Sequence, residues 1–134
     1  MHGPVTICFT KRDSLAEAVS RLTAGEQVNG RSLDVQMGVQ PDAAARCSIL
    51  YIGSGDPSKM EEFLRASRGK PVLTVSDAPD FLARGGILQF LLMGDHVRFA
   101  ASVDAAARNG LSLSSELLKV AISVRDSREG GVAR

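Results

Sequence analysis

The sequence predicts an α/β fold: a three-layer sandwich with a mostly parallel sheet and an antiparallel C-terminal hairpin at its edge. Short apolar runs alternate with amphipathic stretches of helical period, which is the order expected of a parallel sheet with crossover helices. Two later apolar runs, 87–93 and 97–101, are joined by Gly94-Asp95-His96 and predict a hairpin. At 134 residues we expect one domain over 1–126 and a flexible tail over 127–134.

The first half of the chain begins with a strand over residues 5–9, a short apolar run with β-branched residues. Asp13 or Ser14 can cap a helix over 14–22, in which apolar residues recur at helical spacing. Asn29-Gly30 predicts a turn, and residues 33–37 alternate as in a half-buried strand.

The middle of the chain predicts a short helical turn over 41–46 and a fully covered strand over 47–52. A helix follows to about residue 68, with Asp56 as its cap and Pro57 in its first turn. Arg65, Arg68 and Lys70 form a basic cluster at its end, which we interpret as a solvated helix terminus.

The second half predicts a strand over 72–75 and a short helix that Asp77 opens and Gly85-Gly86 stops. The hairpin follows, then a short helix over 104–109. A final helix, capped by Ser112 or Ser114, extends to about residue 124.

Composition excludes several classes of protein. The net charge of +1 gives no field to attract nucleic acid or anionic lipid, and a chain with no Trp and one Tyr offers no base-stacking platform.

No apolar run approaches the roughly 18 residues of a membrane span. Residues 1–4 lack the pattern of a signal peptide and a strand follows at once, so we expect a chain shortened at its front.

Candidate chemical motifs are weak. Gly53-Ser54-Gly55-Asp56 joins a strand to a helix but lacks the glycine and lysine pattern of a nucleotide loop, so a structural turn is the favoured interpretation. Ser76, Asp77, Asp80 and His96 form no recognisable catalytic motif. The histidines and cysteines lack metal-ligand spacing. We therefore expect a protein that is not an enzyme and needs no metal or cofactor.

The two cysteines are either free buried thiols or a disulfide. Cys8 lies late in the first predicted strand and Cys47 opens another, and such strands are commonly neighbours in a doubly wound sheet. Neighbouring strands are about 4.8 Å apart, close to the separation that a disulfide spans, so the placement favours the bridge.

Several segments together resemble the YfiR family of small periplasmic proteins. They are VTICF at the front, VNGR at 28–31, CSILYIG at 47–53, PVLTVSDAPDF at 71–81, the Gly-Gly turn, Arg98-Phe99 and VDAAARNGL at 103–111. The resemblance implies a periplasmic location and a disulfide between Cys8 and Cys47. It also implies a front helix that this sequence lacks.

The resemblance implies a repressor that binds the periplasmic sensor domain of a membrane-anchored diguanylate cyclase. Repression lowers the level of cyclic-di-GMP and the formation of biofilm. An outer-membrane lipoprotein can sequester the repressor and so release the cyclase. For the contact surface we predict Leu88, Phe90, Phe99 and Arg108, although core packing is the stronger interpretation of the three apolar residues. A homodimer through a surface that the absent helix would cover is a further expectation.

Two rival functions stay open. One is a small-molecule sensory module with a cleft at the carboxyl ends of the strands, near residues 53–56 or 76–77. The other is a hydrolytic or nucleotide-processing enzyme, for which the sequence supplies no convergent set of groups.

Overall fold

The computed structural model describes residues 3–53, 55–121, 123–126 and 131–133. The strands are Val5–Phe9 (β1), Gln27–Val28 (β2), Arg31–Met37 (β3), Ile49–Tyr51 (β4), Leu73–Ser76 (β5), Leu88–Met93 (β6), His96–Ser102 (β7), Ser123–Asp126 (β8) and Gly131–Ala133 (β9). The α-helices are Ser14–Thr23 (α1), Pro57–Ser67 (α2), Val103–Arg108 (α3) and Ser115–Val120 (α4), and Pro41–Arg46 is a 3₁₀ helix.

The described strands form one mixed sheet in the order β2-β3-β1-β4-β5-β6-β7-β8-β9. The run from β3 to β6 is parallel throughout, as the sequence predicts. The chain moves outward from β1 to β3 in one direction and from β4 to β5 in the other. The topological switch point therefore lies between β1 and β4, where ligands often bind in this class of fold.

The β6–β7 hairpin is antiparallel, and Gly94 takes the positive φ of 66° that suits a two-residue turn. His96 begins β7 instead of lying in the turn. The hairpin is not the edge of the sheet, because β8 pairs in parallel with β7 and β9 pairs with β8. The predicted last helix accordingly stops at Val120, and residues 131–133 are a strand. Residue 122 of the predicted helix and residues 127–130 and 134 of the predicted tail lie outside the described residues.

Helix α1 is capped by Asp13, whose Oδ1 accepts the Ala16 amide at 3.0 Å. Only part of its apolar face is buried: Ala16 is fully buried, whereas Leu15 is 44% exposed and Leu22 is 77% exposed. Helix α2 begins as predicted, with the Asp56 carboxylate accepting the amides of Ser58 and Lys59.

The predicted helix after Asp77 is wrong, since the chain makes successive turns over 79–85. The Ser76 hydroxyl, not the Asp77 carboxylate, accepts the Ala78 amide at 3.1 Å. Gly86 ends the segment against the buried ring of Phe81, where a Cβ would lie 2.1 Å from a ring carbon. The turns thus fold around this ring, and the close approach requires glycine.

The core has two parts, one on each face of the sheet. Leu50 packs with Phe63, Leu64 and Phe81 beneath α2, whereas the flanking residues of β4 pack with α3 and α4. Alternate residues of a strand point to opposite faces, so helices cover both faces and the domain has three layers.

Candidate interaction surface

The hairpin brings the predicted apolar contact residues together. Phe90 and Phe99 lie directly opposite each other, and Leu88 is on the same face two residues earlier. Leu88 is 8% exposed and belongs to the core, whereas the two phenylalanines are half-buried. A partner on this face would therefore reach the phenylalanine edges and not Leu88.

An aromatic row extends from the hairpin across the sheet. The Tyr51 ring lies 6.3 Å from that of Phe90 and 5.7 Å from that of Phe9, measured between centroids. Both contacts are tilted, a geometry that aromatic pairs favour. The half-buried hairpin rings are thus backed by further rings that reach β1.

Burial raises the pKa of Tyr51 to about 12, and the carboxylates of Asp77 and Asp13 add to the shift. The phenol therefore stays protonated at neutral pH and keeps its O–H as a donor. Sequence reasoning did not single out Tyr51. Its position at the carboxyl end of a parallel strand, where ligands bind in such folds, is the signal that could have found it.

Arg108 lies in different surroundings from the phenylalanine pair. It is exposed at the end of α3, where it lines a small polar notch together with Arg68, Asn109 and Gly85. The sequence interpretation of Arg68 as one more solvated helix end missed this juxtaposition. The structure therefore separates the predicted contact residues into an apolar face and a basic notch.

A disulfide joins Cys8 to Cys47, with 5.9 Å between the Cα atoms. Both cysteines are buried, and the bridge ties β1 to the segment that leads into β4. It lies in the core beneath α2. The bond thus fastens the two strands that flank the switch point.

The candidate catalytic residues do not converge. Ser76 is fully buried and its hydroxyl is engaged in a turn, and Asp80 pairs with Arg84 at 3.9 Å. Asp77 is exposed near Tyr51. Within the part of the chain that the structure describes, no group of three His, Cys, Asp or Glu side chains could hold a metal ion.

A cavity of about 190 Å³ lies at the switch point. Thr10, Lys11, Gln40, Asp56 and Lys59 line it, beside the Gly53 turn; Ser54 of the predicted loop lies outside the described residues. The Asp56 carboxylate occupies the helix terminus as a cap. The space is small for a nucleotide but admits a compact polar solute.

The fold and these features define a small disulfide-bonded α/β domain. No helix within the described ranges is long and apolar enough to cross a bilayer.

The chain belongs to the YfiR/HmsC-like family, the DUF4154 domain, whose model matches residues 2–122. Members of this family are periplasmic and regulatory rather than catalytic, and membership indicates a periplasmic regulator in cyclic-di-GMP signalling. The family assignment made from the sequence motifs is confirmed.

The fold is similar to that of a solved structure, a conserved domain protein from Vibrio cholerae O1 biovar El Tor strain N16961. The TM-score is 0.67 at 14% sequence identity. The similarity covers 90% of this chain and 55% of the Vibrio chain. At this identity the likeness supports the α/β architecture alone.

Proposed function

We propose that this protein represses a membrane-anchored diguanylate cyclase by binding the cyclase's periplasmic sensor domain. The observation that carries the proposal is the family match over residues 2–122. Repression follows by linkage: a protein that binds the inactive state of the cyclase more tightly shifts the population toward that state. Cyclic-di-GMP and biofilm formation would then fall.

The hairpin supplies one surface suited to such binding. Phe90 and Phe99 are half-buried, so each side chain packs against the core while part of its surface stays accessible. Pre-ordered aromatic rings lose little entropy on binding and are common anchors of protein interfaces. We place the main cyclase contact on these two residues.

The first test is a pull-down from detergent-solubilised membranes of the host, with the full-length secreted protein as bait, with and without reductant. We expect recovery of a membrane protein that has a cyclase domain, and loss of recovery on reduction. Phe90→Ser should weaken recovery, whereas Val28→Ser, which alters an exposed apolar residue of β2, should not. A folded bait that recovers no cyclase would overturn the proposal.

Two further contacts belong to the same proposal. An outer-membrane lipoprotein would compete with the cyclase for the repressor. The same pull-down should therefore recover the lipoprotein, but in complexes of the bait that contain no cyclase. A homodimer would use exposed apolar residues such as Leu15 and Leu22 on α1. Sedimentation of the wild type and of Leu22→Ser tests this dimer.

The alternative function is sensing of a small solute, and the cavity at the switch point favours it. Its lining carries two lysines, so the solute would be polar and anionic. A thermal-shift screen of periplasmic metabolites, repeated with Lys59→Gln, distinguishes this role: a stabilising solute that loses its effect in the variant would support it.

A further inference from the structure

Two arginines from different helices converge on one notch. Arg68 caps the end of α2, and Arg108 is the last residue of α3. Both side chains are exposed, and neither forms an ion pair with another described residue. A guanidinium has five N–H donors and no acceptor, so the pair offers many donors with no anion between them.

Asn109 fixes the spacing of the two arginines. Its Oδ1 accepts the Gly69 amide at 3.0 Å and its Nδ2 donates to the Val72 carbonyl at 2.9 Å. Gly69 follows Arg68 directly, and Asn109 follows Arg108. The buried asparagine therefore ties together the backbone on which both arginines stand, and the notch is held open by the fold.

The other polar groups of the notch already have partners. The Thr74 hydroxyl accepts the Ile87 amide, and the Ser67 hydroxyl donates to the Leu64 carbonyl. Gly85 forms a wall without a side chain, and a Cβ there would lie 3.7 Å from Nη2 of Arg68. The unmet capacity of the notch is thus positive and belongs to the guanidinium groups.

The volume of the notch restricts what can enter. It is about 10 Å³, which is room for one atom of the size of a water oxygen. One oxygen of a carboxylate enters the notch while the rest of the group stays outside, as for an Asp or Glu side chain that projects from another protein. A helix dipole favours a cation at each helix end, yet it does not explain why both cations face one notch whose lining holds no carboxylate.

We infer that Arg68 and Arg108 form a receptor for an acidic side chain, Asp or Glu, on the protein partner. The inference rests on the proposed function, since that partner is the cyclase sensor domain. Two guanidinium groups bind a carboxylate through charge-assisted and bidentate hydrogen bonds. The notch sets the orientation of the complex, while the hairpin phenylalanines contribute apolar contact.

The test measures the affinity of full-length protein for the solubilised cyclase. The variants are Arg68→Gln, Arg108→Gln and the double variant, with Arg21→Gln as control, because Arg21 also stands in the last turn of an exposed helix. We expect about tenfold weaker binding in the double variant, a smaller salt dependence, and no change in the control. Equal affinity in the double variant would overturn the inference and leave the proposed function intact.

A second measurement does not need the cyclase. Acetate is titrated into labelled protein at constant ionic strength while the Nε–H signals of the arginines are followed by NMR. Saturable shifts at Arg68 and Arg108, but not at Arg21, support a carboxylate receptor, and their absence overturns it. Saturation by inorganic phosphate at lower concentration than by acetate would overturn the assignment to an acidic side chain.

If wild-type protein binds no cyclase, the proposed function fails, and the acetate titration alone decides whether the notch recognises carboxylates. If the complex forms, Arg108→Lys places an amine in the notch that a carbodiimide can couple to a carboxylate in contact with it. A cross-linked Asp or Glu of the cyclase supports the inference. Coupling elsewhere in the cyclase, but not at this position, contradicts it.

Discussion

Two regions of the sheet are closed in different ways. Around β1 and β4 the core is sealed by α2 and by the Cys8–Cys47 disulfide, and Leu50 is completely buried. Around β6 and β7 the helix α3 approaches closely through the small residues Ala105 and Ala106, and the two hairpin phenylalanines remain half-buried. The comparison separates a rigid region from the hairpin on which the proposed cyclase contact lies, because an apolar residue buried in the core is no longer available to a partner.

The largest expected effect comes from removing the disulfide of the rigid region around β1 and β4. Replacing both cysteines, Cys8→Ala with Cys47→Ala, should lower the free energy of unfolding by about 3 to 4 kcal/mol, since the unfolded chain regains the entropy of a closed loop. Urea denaturation measures the loss. Relative to the wild type, the double variant should show a larger increase in hydrogen-exchange rate in β1 and β4 than in β6 and β7. Unchanged urea midpoints for the oxidised wild type and the double variant would contradict the assigned role of the bridge.

The second effect falls at the junction between the two regions. Gly86→Ala should cost roughly 2 to 3 kcal/mol, because the new Cβ overlaps the buried Phe81 ring, which cannot move without disturbing the core. Gly3→Ala is the control, since nothing lies within 4 Å of its position. Thermal unfolding of both variants provides the measurement, and equal stability of the two would show that the ring moves freely.

A third prediction concerns the aromatic row that connects the regions. Because Tyr51 is the one tyrosine and the chain has no Trp, the phenolate absorbance reports this residue alone. Its pKa should lie near 12 in the folded protein, above the ordinary value of 10. The stabilisation from the protonated phenol is therefore complete below pH 10 and falls as pH rises from 10 toward 12.

Asp77→Asn should lower the pKa of Tyr51, because it removes the larger of the two charge effects that raise it. Asp42→Asn is the control, as Asp42 is not among the causes of the shift. A Tyr51 pKa of 10 in the wild type would mean that the ring is hydrated, and the row would then not be a packed unit.

The smallest expected effect comes from an exposed apolar residue, which we compare with a buried one. Leu22→Ser should change the free energy of unfolding of the monomer by no more than about 0.5 kcal/mol, since Leu22 is 77% exposed in the single chain. Leu50→Ala, in the sealed core, should cost about 2 to 5 kcal/mol. Parallel urea titrations test both, and a large loss from Leu22→Ser would show that α1 is covered in solution.

Local signals account for what the sequence could predict. Asp56 and Pro57 specify the start of α2, and apolar runs specify β1 and β4, because these patterns need no distant partner. The strand Ser123–Asp126 has no such pattern and forms because β7 offers it an edge. The helix predicted after Asp77 was wrong for a similar reason: packing of the Phe81 ring against Gly86 dominates over local capping.

The candidate surfaces divide in the same way. The sequence predicts the hairpin but joins its strands through Gly94-Asp95-His96. The register that places Phe90 opposite Phe99 follows from the two-residue turn of the structure, in which His96 begins β7. The basic notch depends on Asn109 bonding to Gly69 and Val72, 40 and 37 residues away in sequence. No local pattern encodes those contacts, so Arg68 was interpreted as a solvated helix end.

The asparagine beside the notch also bears on how the molecule ages. Both asparagines of the chain precede glycine, the pairing in which the next backbone nitrogen most readily attacks the side-chain carbonyl carbon. Ammonia leaves as a cyclic imide forms, and water then opens the imide to a carboxylate. Asn109 is protected, because both ends of its amide are hydrogen-bonded and the Gly110 amide donates to Ala107. Asn29 sits in an exposed turn at a φ of 52°, so deamidation should begin there and spare the residue that keeps the two arginines in place.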